Sequence, residues 1–486
     1  MYVLGVDFGG GAGKATLMAK DGRIVSTATA EYPTYYGDGG MAEQDPRDWY
    51  VAAVKNIRAV LKGVDPADVD CICFDAATHT AVLLDKEGEP VMRSVYWTDT
   101  RSVPERDMLE REHGDLIRAR CKHSVDTIWS LPEIMLARRL DPESFARTER
   151  VTFAKDYVRG RFTGDTVTDY IEAEGSMLFD YDRRDWVDEL LAVAGLTRAM
   201  MPRIVSPLDI AGYVTREASS ATGLAVGTPV VTGATDTAME VLAAGAVRPG
   251  DATLKLATAG RVCVVTEAIV PDRNIVNYSH AVEGLFYPGA ATKSCASSLR
   301  WFRDCFGGDY AEMDEQAEKI PLGADGLIFN PHLMGELTPY ADPKMSGSFV
   351  GIRSSMGRGH FARAIMEGVA LSLLDCKLYL EERGITLGER VYSIGGGAKS
   401  PLWRSIVADC LGITLAVTER SDSSLGSCML AAVAAGYFGS IEEAAERCNR
   451  VVDVTEPNPE NTEKYRKLYV KYKRVGELLS ELAHME

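Results

Sequence analysis

Residues 6–16 of the chain read VDFGGGAGKAT, a glycine-rich run that follows a short apolar segment and ends in lysine, alanine and threonine. Runs of this kind often cradle a phosphate, either in a P-loop or in a dinucleotide fingerprint. A P-loop would need glycine at Phe8 and serine or threonine at Ala15, and a dinucleotide fingerprint would need glycine at Lys14. Both motifs are therefore excluded.

The segment after the glycines is predicted to be strand and not helix. Residues 14–32, KATLMAKDGRIVSTATAEY, are rich in β-branched side chains and contain Asp21-Gly22, a strong hairpin dipeptide. Both excluded motifs need a helix here. Gly9 to Gly11 are therefore predicted to form a turn between two antiparallel strands, with Asp7 near the end of the first. A bare hairpin and a phosphate-binding loop both stay open.

Length and composition restrict the possible partners and the class of protein. The chain has 486 residues, which predicts two or three domains, and 46% of them are hydrophobic. A net charge of −17 disfavours nucleic acid and anionic membranes and leaves small solutes as the expected partners. The ten cysteines lack any metal-binding spacing, so free thiols are expected. Without a signal-peptide pattern or a long apolar run, we expect a cytoplasmic protein.

The strand–turn–strand pattern recurs in the second half of the chain. Residues 251–270, DATLKLATAGRVCVVTEAIV, again give two β-rich runs around a turn at Ala259-Gly260. Alternating strands and helices elsewhere predict an α/β fold. We therefore predict two similarly built domains, 1–248 and 249–445. Residues 446–486 are predicted to form a helical extension that packs on the second domain, with its helix capped by Asn461 or Thr462.

Several polar residues follow predicted strands and are candidates for chemistry. Asp236, in TGATDTA, precedes a predicted helix whose N-terminus favours an ionised carboxylate. It is either an ordinary helix cap or a catalytic carboxylate. Asp7 either caps the glycine turn or faces a phosphate-bound metal. His79, Trp97 and their polar neighbours suit a sugar site, although a lone histidine or tryptophan is more often part of a core.

Taken together, these segments resemble the FGGY carbohydrate kinases and, within them, the xylulokinase-like branch. The family implies two actin-like (ribonuclease H-like) ATPase domains that flank a central cleft, with ATP and a small-molecule sugar as partners, and family habit suggests a homodimer. The likeness runs in order along VDFGGGAGKATLM, MAEQDPRDWY, THTAVLLD, VYWTDTR, AKDYVRGRFTGDTVTDY, GTPVVTGATDTA, GELTPYADPKMSGSFVGI, HFARAIMEGVA and IGGGAKSPLWRSIVADCLG.

The resemblance also implies roles for single residues. Asp236 matches the catalytic aspartate, Asp7 would lie near Mg2+, and His79 is the foremost candidate for a direct sugar contact. The implied sugar-binding residues are Thr78, His79, Trp97, Asp99, Arg101, Asp236 and Thr237. The implied ATP-binding residues are Gly9, Gly10, Gly11, Lys14, Thr258, Gly260, Ala296, Arg300, Gly396, Gly397 and Ser400.

The expected activity is ATP- and Mg2+-dependent phosphorylation of a primary hydroxyl of a small ketose or polyol, with D-xylulose first. Ribulose, another pentulose and a tetritol are alternatives, because DAATHT stands where xylulokinases tend to read Ser-Gly-Gln-Met-His-Gly. Gly10 also replaces a usual threonine, Thr237 replaces a usual asparagine, and Ala257, Ala259 and Arg261 change the second phosphate loop. The altered loops keep one rival open, a non-catalytic sugar or nucleotide sensor with the same fold.

Overall fold

The computed structural model describes residues 1–485, which form two compact units. The first unit contains residues 1–247, 278–284 and 420–449. The second unit contains the rest of the chain. Each unit has a central mixed sheet with helices packed against it, so that both are α/β structures.

The two units do not follow the predicted domain ranges in every segment. The predicted ranges, 1–248, 249–445 and 446–486, run along the chain without interruption. The structure instead joins 278–284 and 420–449 to the first unit. The difference arises because these late segments pack against residues from the beginning of the chain. The predicted ranges themselves stay a prediction.

The elements are numbered in chain order. The strands are β1 Tyr2–Phe8, β2 Ala12–Ala19, β3 Ile24–Glu31, β4 Tyr35–Gly37, β5 Met41–Gln44, β6 Val69–Ala76, β7 Ala81–Leu84, β8 Ser94–Val95, β9 Arg150–Phe153, β10 Val167–Asp169, β11 Phe179–Asp180, β12 Asp185–Trp186, β13 Arg203–Val205, β14 Ile210–Tyr213, β15 Pro229–Val231, β16 Ala252–Leu256, β17 Gly260–Val264, β18 Gly289–Thr292, β19 Ile328–Asn330, β20 Ser348–Val350, β21 Arg390–Ile394, β22 Thr414–Thr418 and β23 Val451–Thr455. The helices are α1 Pro46–Val60, α2 Val103–Cys121, α3 Ser130–Leu140, α4 Pro142–Phe145, α5 Ala154–Thr163, α6 Tyr170–Gly175, α7 Asp188–Ala194, α8 Arg216–Thr222, α9 Asp236–Ala244, α10 Ala296–Phe306, α11 Tyr310–Glu318, α12 Arg358–Glu381, α13 Pro401–Leu411, α14 Ser423–Ala434, α15 Ile441–Cys448 and α16 Pro459–Ala483.

The first unit is built on a six-stranded sheet with the order β14-β15-β6-β1-β2-β3. Strands β1, β6 and β15 are parallel, and β2 pairs antiparallel with both β1 and β3. The turn from Gly9 to Gly11 joins β1 to β2, and Asp7 lies opposite Lys14. The predicted hairpin is therefore confirmed. The next turn contains Asp21 and Gly22, and Gly22 has a φ of +88°, which glycine adopts without strain.

The second unit has the same strand pattern in the order β18-β17-β16-β21-β22-β23. Strands β16, β21 and β22 are parallel, and β17 pairs antiparallel with β16 and β18. Strand β16 thus corresponds to β1, and the turn after it corresponds to the glycine turn. This correspondence confirms the prediction of two similarly built halves. The edge strands differ, since β14 precedes β15 in the chain whereas β23 follows β22.

Helices cover both faces of the first sheet. Leu4 and Val6 point to one face and pack in a buried core that includes Trp49 of α1. Gly5 points to the opposite face, where a Cβ atom would lie 2.1 Å from the carbonyl oxygen of Ser424. The absence of a side chain at Gly5 therefore allows α14 to lie directly against β1.

The last helix, α16, begins earlier than the sequence predicts. Asn458 is its cap, and its side chain accepts hydrogen bonds from the amides of Glu460 and Asn461. Pro459 occupies the first helical position, where the missing amide proton costs nothing. The predicted caps, Asn461 and Thr462, are therefore wrong, because both lie inside the first turns of the helix.

Two residues fasten α16 to the core of the second unit. Tyr465 and Tyr472 are fully buried in the cluster that also contains the apolar residues of α12 and α13. The Tyr465 hydroxyl donates to the carboxylate of Glu367 at 3.0 Å, and Arg363 also bonds Glu367, at 2.7 Å. The helix is therefore a packing element of this unit.

The ten cysteines are free, as predicted. Most are buried, and burial raises the pKa of the Cys71 thiol to about 12, which keeps it protonated and unreactive. Within residues 1–485, no helix combines the length and the apolar character that crossing a membrane would require.

Candidate active site

Three aspartates of the first unit meet at one edge of its sheet. Asp7 lies at the end of β1, Asp75 lies at the end of β6, and Asp236 opens α9 shortly after β15. The carboxyl ends of parallel strands share one edge, which is where open α/β sheets bind ligands. Asp7 and Asp75 are direct partners in the parallel pairing of β1 and β6.

The carboxyl groups of Asp7 and Asp75 are both buried and interact with each other. Burial and, less strongly, the charge of Asp236 raise the pKa of Asp7 to about 7, although hydrogen bonds from Asp75 and Ser423 oppose the rise. Burial and the charge of Asp7 raise the pKa of Asp75 well above its usual range. Asp75 Oδ2 also accepts from the Ser427 hydroxyl at 2.6 Å. Two carboxyls this close need a shared proton or a cation between them.

Asp236 is held through one of its two carboxylate oxygens. Oδ1 accepts from the Thr78 hydroxyl at 3.1 Å and from the Thr237 amide at 2.6 Å. Thr235 is the cap of α9, so Asp236 is the first helical residue and not the cap. Among residues 1–485, no donor is found for Asp236 Oδ2. This oxygen is left to accept a proton from another molecule.

The carbonyls of the glycine turn are fixed by neighbouring side chains. The Tyr32 hydroxyl donates to the Gly9 carbonyl at 2.5 Å, and the Thr34 hydroxyl donates to the Gly10 carbonyl at 2.7 Å. Gln44 Nε2 donates to the same Gly10 carbonyl at 3.0 Å. With its carbonyls engaged, the turn can present backbone amides to an anion, and such amide concavities bind phosphate.

Lys14 lies close to the turn but already has an anionic partner. Its Nζ lies 2.8 Å from Asp422 Oδ1, in the segment just before α14. An ATP phosphate would have to share or replace this ion pair. Lys14 therefore lies close to the glycine turn, Gly9 to Gly11. The contact of these residues with ATP stays a prediction.

His79 is surrounded by protein hydrogen bonds. Its Nδ1 bonds the Gly175 carbonyl at 2.7 Å, and its Nε2 bonds the Tyr278 hydroxyl at 2.7 Å. A carbonyl only accepts, so Nδ1 carries a proton and a neutral ring accepts the Tyr278 hydroxyl proton at Nε2. The His79 amide also donates to Glu172 at 3.0 Å. A direct sugar contact through this ring would have to replace one of these bonds.

A short segment from the second half of the chain closes this region of the first unit. The Ser279 amide donates to Glu174 Oε2 at 2.7 Å, and its hydroxyl donates to Oε1 at 2.5 Å. Burial raises the pKa of Glu174 to about 8. Tyr278, next to Ser279, is the residue that bonds His79. The segment 278–284 therefore holds the region around His79 in place.

Asp99 and Arg101 serve mainly to fasten a loop. The Asp99 carboxylate accepts from the Ala42 amide at 2.8 Å and from Arg101 Nη2 at 2.7 Å. Arg101 Nη2 also donates to Glu43 at 2.8 Å. These bonds tie the segment after β8 to β5. Trp97, which precedes Asp99 in this segment, is 42% exposed.

In the second unit, the predicted second phosphate loop meets the start of α10. The Cys295 amide donates to the Thr258 carbonyl at 3.0 Å, and the Ala296 amide donates to the Ala257 carbonyl at 2.7 Å. A Cβ atom on Gly260 would lie 2.9 Å from the Thr292 side chain, so the strand after the turn needs glycine there. Thr258, Gly260 and Ala296 are thus brought together.

The predicted adenosine loop meets the same strand end. A Cβ atom on Gly397 would lie 3.0 Å from Leu256, the last residue of β16. Gly396 and Gly397 lie in one turn of 3-10 helix, and Ser400 caps α13 by accepting from the Trp403 amide at 3.1 Å. Arg300, on α10, is exposed. The ATP contacts of these residues stay predictions.

Two residues of this region were missed by the sequence reasoning. Asp75 was overlooked because the sequence reasoning treated it only as part of a changed sugar segment. Its position at the end of an apolar predicted strand was a signal that could have identified it. Tyr96 was overlooked because a tyrosine before Trp97 has no local signature. Its hydroxyl lies 3.0 Å from where a Cβ atom on Gly10 would be.

Comparison with known proteins agrees with this architecture. The model of the FGGY family of carbohydrate kinases, N-terminal domain, matches residues 2–243, and that of the C-terminal domain matches residues 262–435. The chain is 31% identical over 481 residues to a xylulose kinase of Bacillus subtilis, which covers 98% of this chain and 96% of the relative. It is also 26% identical to a gluconokinase of the same organism over 98% of this chain and 96% of that relative.

Solved structures show the same fold. A xylulose kinase from Rhodospirillum rubrum superposes with a TM-score of 0.92 at 27% identity, covering all of both chains. A Plasmodium falciparum glycerol kinase with ADP superposes with a TM-score of 0.90 at 17% identity, covering 100% of this chain and 98% of that one, a likeness of fold alone. The matched domains, the relatives and the repeated sheet lead to one conclusion: the chain belongs to the FGGY family of carbohydrate kinases and is a sugar kinase with two actin-like α/β domains.

Proposed function

We propose that this sugar kinase transfers the terminal phosphoryl group of ATP to a primary hydroxyl of a small ketose or polyol, with D-xylulose as the first candidate. Asp236 is the proposed general base. The observation that carries the proposal is the hydrogen bonding of the Asp236 carboxylate. Its Oδ1 accepts hydrogen bonds from Thr78 and Thr237, whereas its Oδ2 remains available to accept a proton. The relatives named xylulose kinase support the choice of D-xylulose.

In this proposal Asp236 takes the proton of the attacking hydroxyl. Thr78 and Thr237 orient the carboxylate at the N-terminus of α9. As Oδ2 accepts the proton, the sugar oxygen forms a bond to the terminal phosphorus and the bond from that phosphorus to ADP breaks. A positioned general base typically contributes about 10²- to 10⁴-fold to the rate.

Asp7 and Asp75 are the residues that would hold Mg2+. Asp75 Oδ1 is buried and receives no hydrogen bond from a donor within the described chain, and the two adjacent carboxyls suit a hard divalent cation. No group of three or more protein ligands is found in residues 1–485, so phosphate oxygens and water would complete the coordination. When bound, Mg2+ would neutralise charge on the phosphate oxygens.

The glycine turn would bind the phosphates through its backbone. The carbonyls of Gly9 and Gly10 are already engaged by Tyr32, Thr34 and Gln44. The Gly9 amide donates to the Ala12 carbonyl at 3.1 Å, so the amides of Gly10 and Gly11 are the ones that can face an anion. Preorganised amides stabilise anionic oxygens without reorganising during the reaction. The turn therefore orients the phosphoryl group toward the hydroxyl that Asp236 deprotonates.

The charge of the region favours a neutral acceptor over a sugar acid. Asp7, Asp75 and Asp236 lie within mutual electrostatic influence and are the source of this charge. Burial raises the pKa of Glu172 and Glu174, so these two residues add little charge. A carboxylate substrate such as gluconate would meet like charge, which disfavours binding. Ribulose, another pentulose or a tetritol remain neutral alternatives, because Asp75 stands in the altered sugar segment.

The test is ADP release across D-xylulose, both ribulose enantiomers, a tetritol and gluconate, with Asp236→Asn as the matched control. We expect one neutral sugar to give turnover in the natural protein and at least about 100-fold less in Asp236→Asn. Turnover on gluconate alone would contradict the neutral acceptor, and full activity of Asp236→Asn would contradict the base. The homodimer that the resemblance suggests is tested by sedimentation of the same preparation.

A further inference from the structure

A side chain on Gly10 would point into space beside the glycine turn that the Tyr96 hydroxyl already occupies. A Cβ atom on Gly10 would lie 3.0 Å from the Tyr96 hydroxyl oxygen, closer than ordinary van der Waals contact. It would lie 3.8 Å from the ring carbon that carries this hydroxyl. The φ of Gly10 is not in the left-handed region, so its backbone would accept a side chain. The hydroxyl of Tyr96, and not the turn geometry, restricts this position to glycine.

The Tyr96 hydroxyl is held in place by its surroundings. The Tyr96 amide donates to the Ala42 carbonyl at 3.0 Å, which continues the pairing of β8 with β5. The ring is buried against Ala42 and Ala77, and only 5% of the residue is exposed. The ion pair of Asp99 with Arg101 fixes the following loop. Tyr96 therefore points at the turn from a rigid support.

The surroundings also keep the Tyr96 hydroxyl protonated. Burial raises the pKa of Tyr96, and the charges of Asp236 and Asp7 raise it further. Trp97 lowers it somewhat through a side-chain hydrogen bond, in which the indole can only donate to the phenol oxygen. In the part of the chain that the structure describes, no acceptor is found for the hydroxyl proton. The group is thus a donor that lies beside the glycine turn and within electrostatic influence of Asp236.

We propose that the Tyr96 hydroxyl donates a hydrogen bond to an oxygen of the phosphoryl group that is transferred. Gly10 has no side chain and therefore no hydroxyl. Tyr96, which directly follows β8, would provide a hydroxyl at the same place. This rests on the proposed phosphoryl transfer. A hydrogen bond to a charged group typically changes an equilibrium or a rate by about 10- to 100-fold.

The first test compares Tyr96→Phe with Tyr213→Phe, a matched change at an exposed tyrosine of edge strand β14. Tyr96→Phe should lower kcat about 10- to 100-fold, with the sugar KM changed less than about threefold, and Tyr213→Phe should match the natural protein. Calorimetry with Mg2+ adds a readout without turnover. A non-hydrolysable ATP analogue should bind at least about fivefold more weakly to Tyr96→Phe, whereas ADP, which lacks the transferred group, should bind equally.

The second test moves the hydroxyl back to position 10. In Tyr96→Phe the nearest ring atom would lie 3.8 Å from a Cβ atom at position 10, which is an ordinary contact distance. We therefore expect Gly10→Thr to be accommodated beside Phe and to be crowded beside Tyr. Tyr96→Phe/Gly10→Thr should regain at least about tenfold of the lost kcat. Tyr96→Phe/Gly10→Ala, which adds Cβ without a hydroxyl, should not.

Three results would overturn the proposal: equal weakening of the ATP analogue and ADP, an effect confined to the sugar KM, or no effect of Tyr96→Phe. If no sugar is turned over by the natural protein, the proposed function fails separately, and the contrast between the ATP analogue and ADP still decides the role of Tyr96.

Discussion

The carboxyl group of Asp75 lies across the parallel strand pair from that of Asp7, and burial raises the pKa of both groups. The Ser427 hydroxyl donates to Asp75 Oδ2 at 2.6 Å. This arrangement makes the pair sensitive to any cation that enters. It also links the glycine turn to the segment that contains His79.

Asp75→Asn should weaken the response of the protein to Mg2+. In the natural protein with ADP, Mg2+ should raise Tm, because a ligand that binds only the folded state stabilises it. The amide keeps the shape of the side chain and its contact with Ser427 but removes one carboxylate. We expect less than half of the Mg2+-dependent Tm shift, measured by scanning calorimetry, with the exposed Asp107→Asn unchanged. An undiminished shift would place the ion elsewhere.

The hydroxyl of Thr78 should contribute to the rate through Asp236. Thr78→Val removes the donor that orients Asp236 Oδ1 while keeping the side-chain shape. We expect kcat to fall by about 10- to 100-fold, which corresponds to one hydrogen bond to a charged group. Thr78→Ser keeps a hydroxyl and should restore most of the rate. An undiminished rate in Thr78→Val would contradict a role for the hydroxyl.

Glu174 should make stability depend on pH. Its pKa rises from an ordinary 4.5 to about 8 in the folded protein because it is buried. The folded state therefore keeps a proton that the unfolded state loses, and this contribution to stability is complete below pH 4.5 and is lost as pH rises to about 8. In Glu174→Gln the free energy of unfolding in urea should fall less between pH 5 and pH 9 than in the natural protein. The exposed Glu217→Gln serves as control, and identical slopes would exclude Glu174 as the cause.

Tyr278→Phe should remove one hydrogen bond to His79 while it keeps the aromatic ring at position 278. The change deletes the hydroxyl that bonds His79 Nε2 at 2.7 Å inside a buried site. We expect a loss of about 1 to 3 kcal/mol in the free energy of unfolding, because a buried acceptor is left without its donor. Urea unfolding measures this loss. A sugar KM that falls in the same variant would support a direct sugar contact by the released nitrogen.

Gly5→Ala should destabilise the first unit strongly. Its Cβ atom would lie 2.1 Å from the Ser424 carbonyl oxygen, a backbone atom that cannot rotate away. We expect a loss of about 3 kcal/mol or more in the free energy of unfolding, which is at the upper end for overpacked cores. Gly357→Ala is the matched control, since no atom lies within 4 Å of its Cβ position. A stable Gly5→Ala protein would mean that α14 can shift.

Local patterns were sufficient to predict the frame of the fold. Asp21-Gly22 predicted a turn because few other dipeptides adopt its backbone angles, and the glycines from Gly9 to Gly11 predicted the hairpin because a strand followed them. The recurrence of that pattern after residue 250 predicted the second half. Asp236 stood out because a strand, a small-residue turn and a helix follow one another around it.

Contacts between distant residues could not be predicted in this way. The pairing of Lys14 with Asp422 joins residues that no sequence spacing connects. The engagement of both ring nitrogens of His79 depends on Tyr278, which reaches the first unit from the second half of the chain. Tyr96 became informative only when its hydroxyl was found where Gly10 lacks a side chain.

Helix α14 has a consequence for how the protein is made. The backbone of α14 lies against Gly5, so the first strand is covered by residues that are synthesised much later than the strand itself. Until α14 has been made, the side of β1 at Gly5 lacks this cover. A nascent chain that ends before residue 423 therefore leaves that side of the strand without α14. The glycine turn, although encoded earlier than α14, acquires its complete environment only when Asp422 and Ser423 reach Lys14 and Asp7.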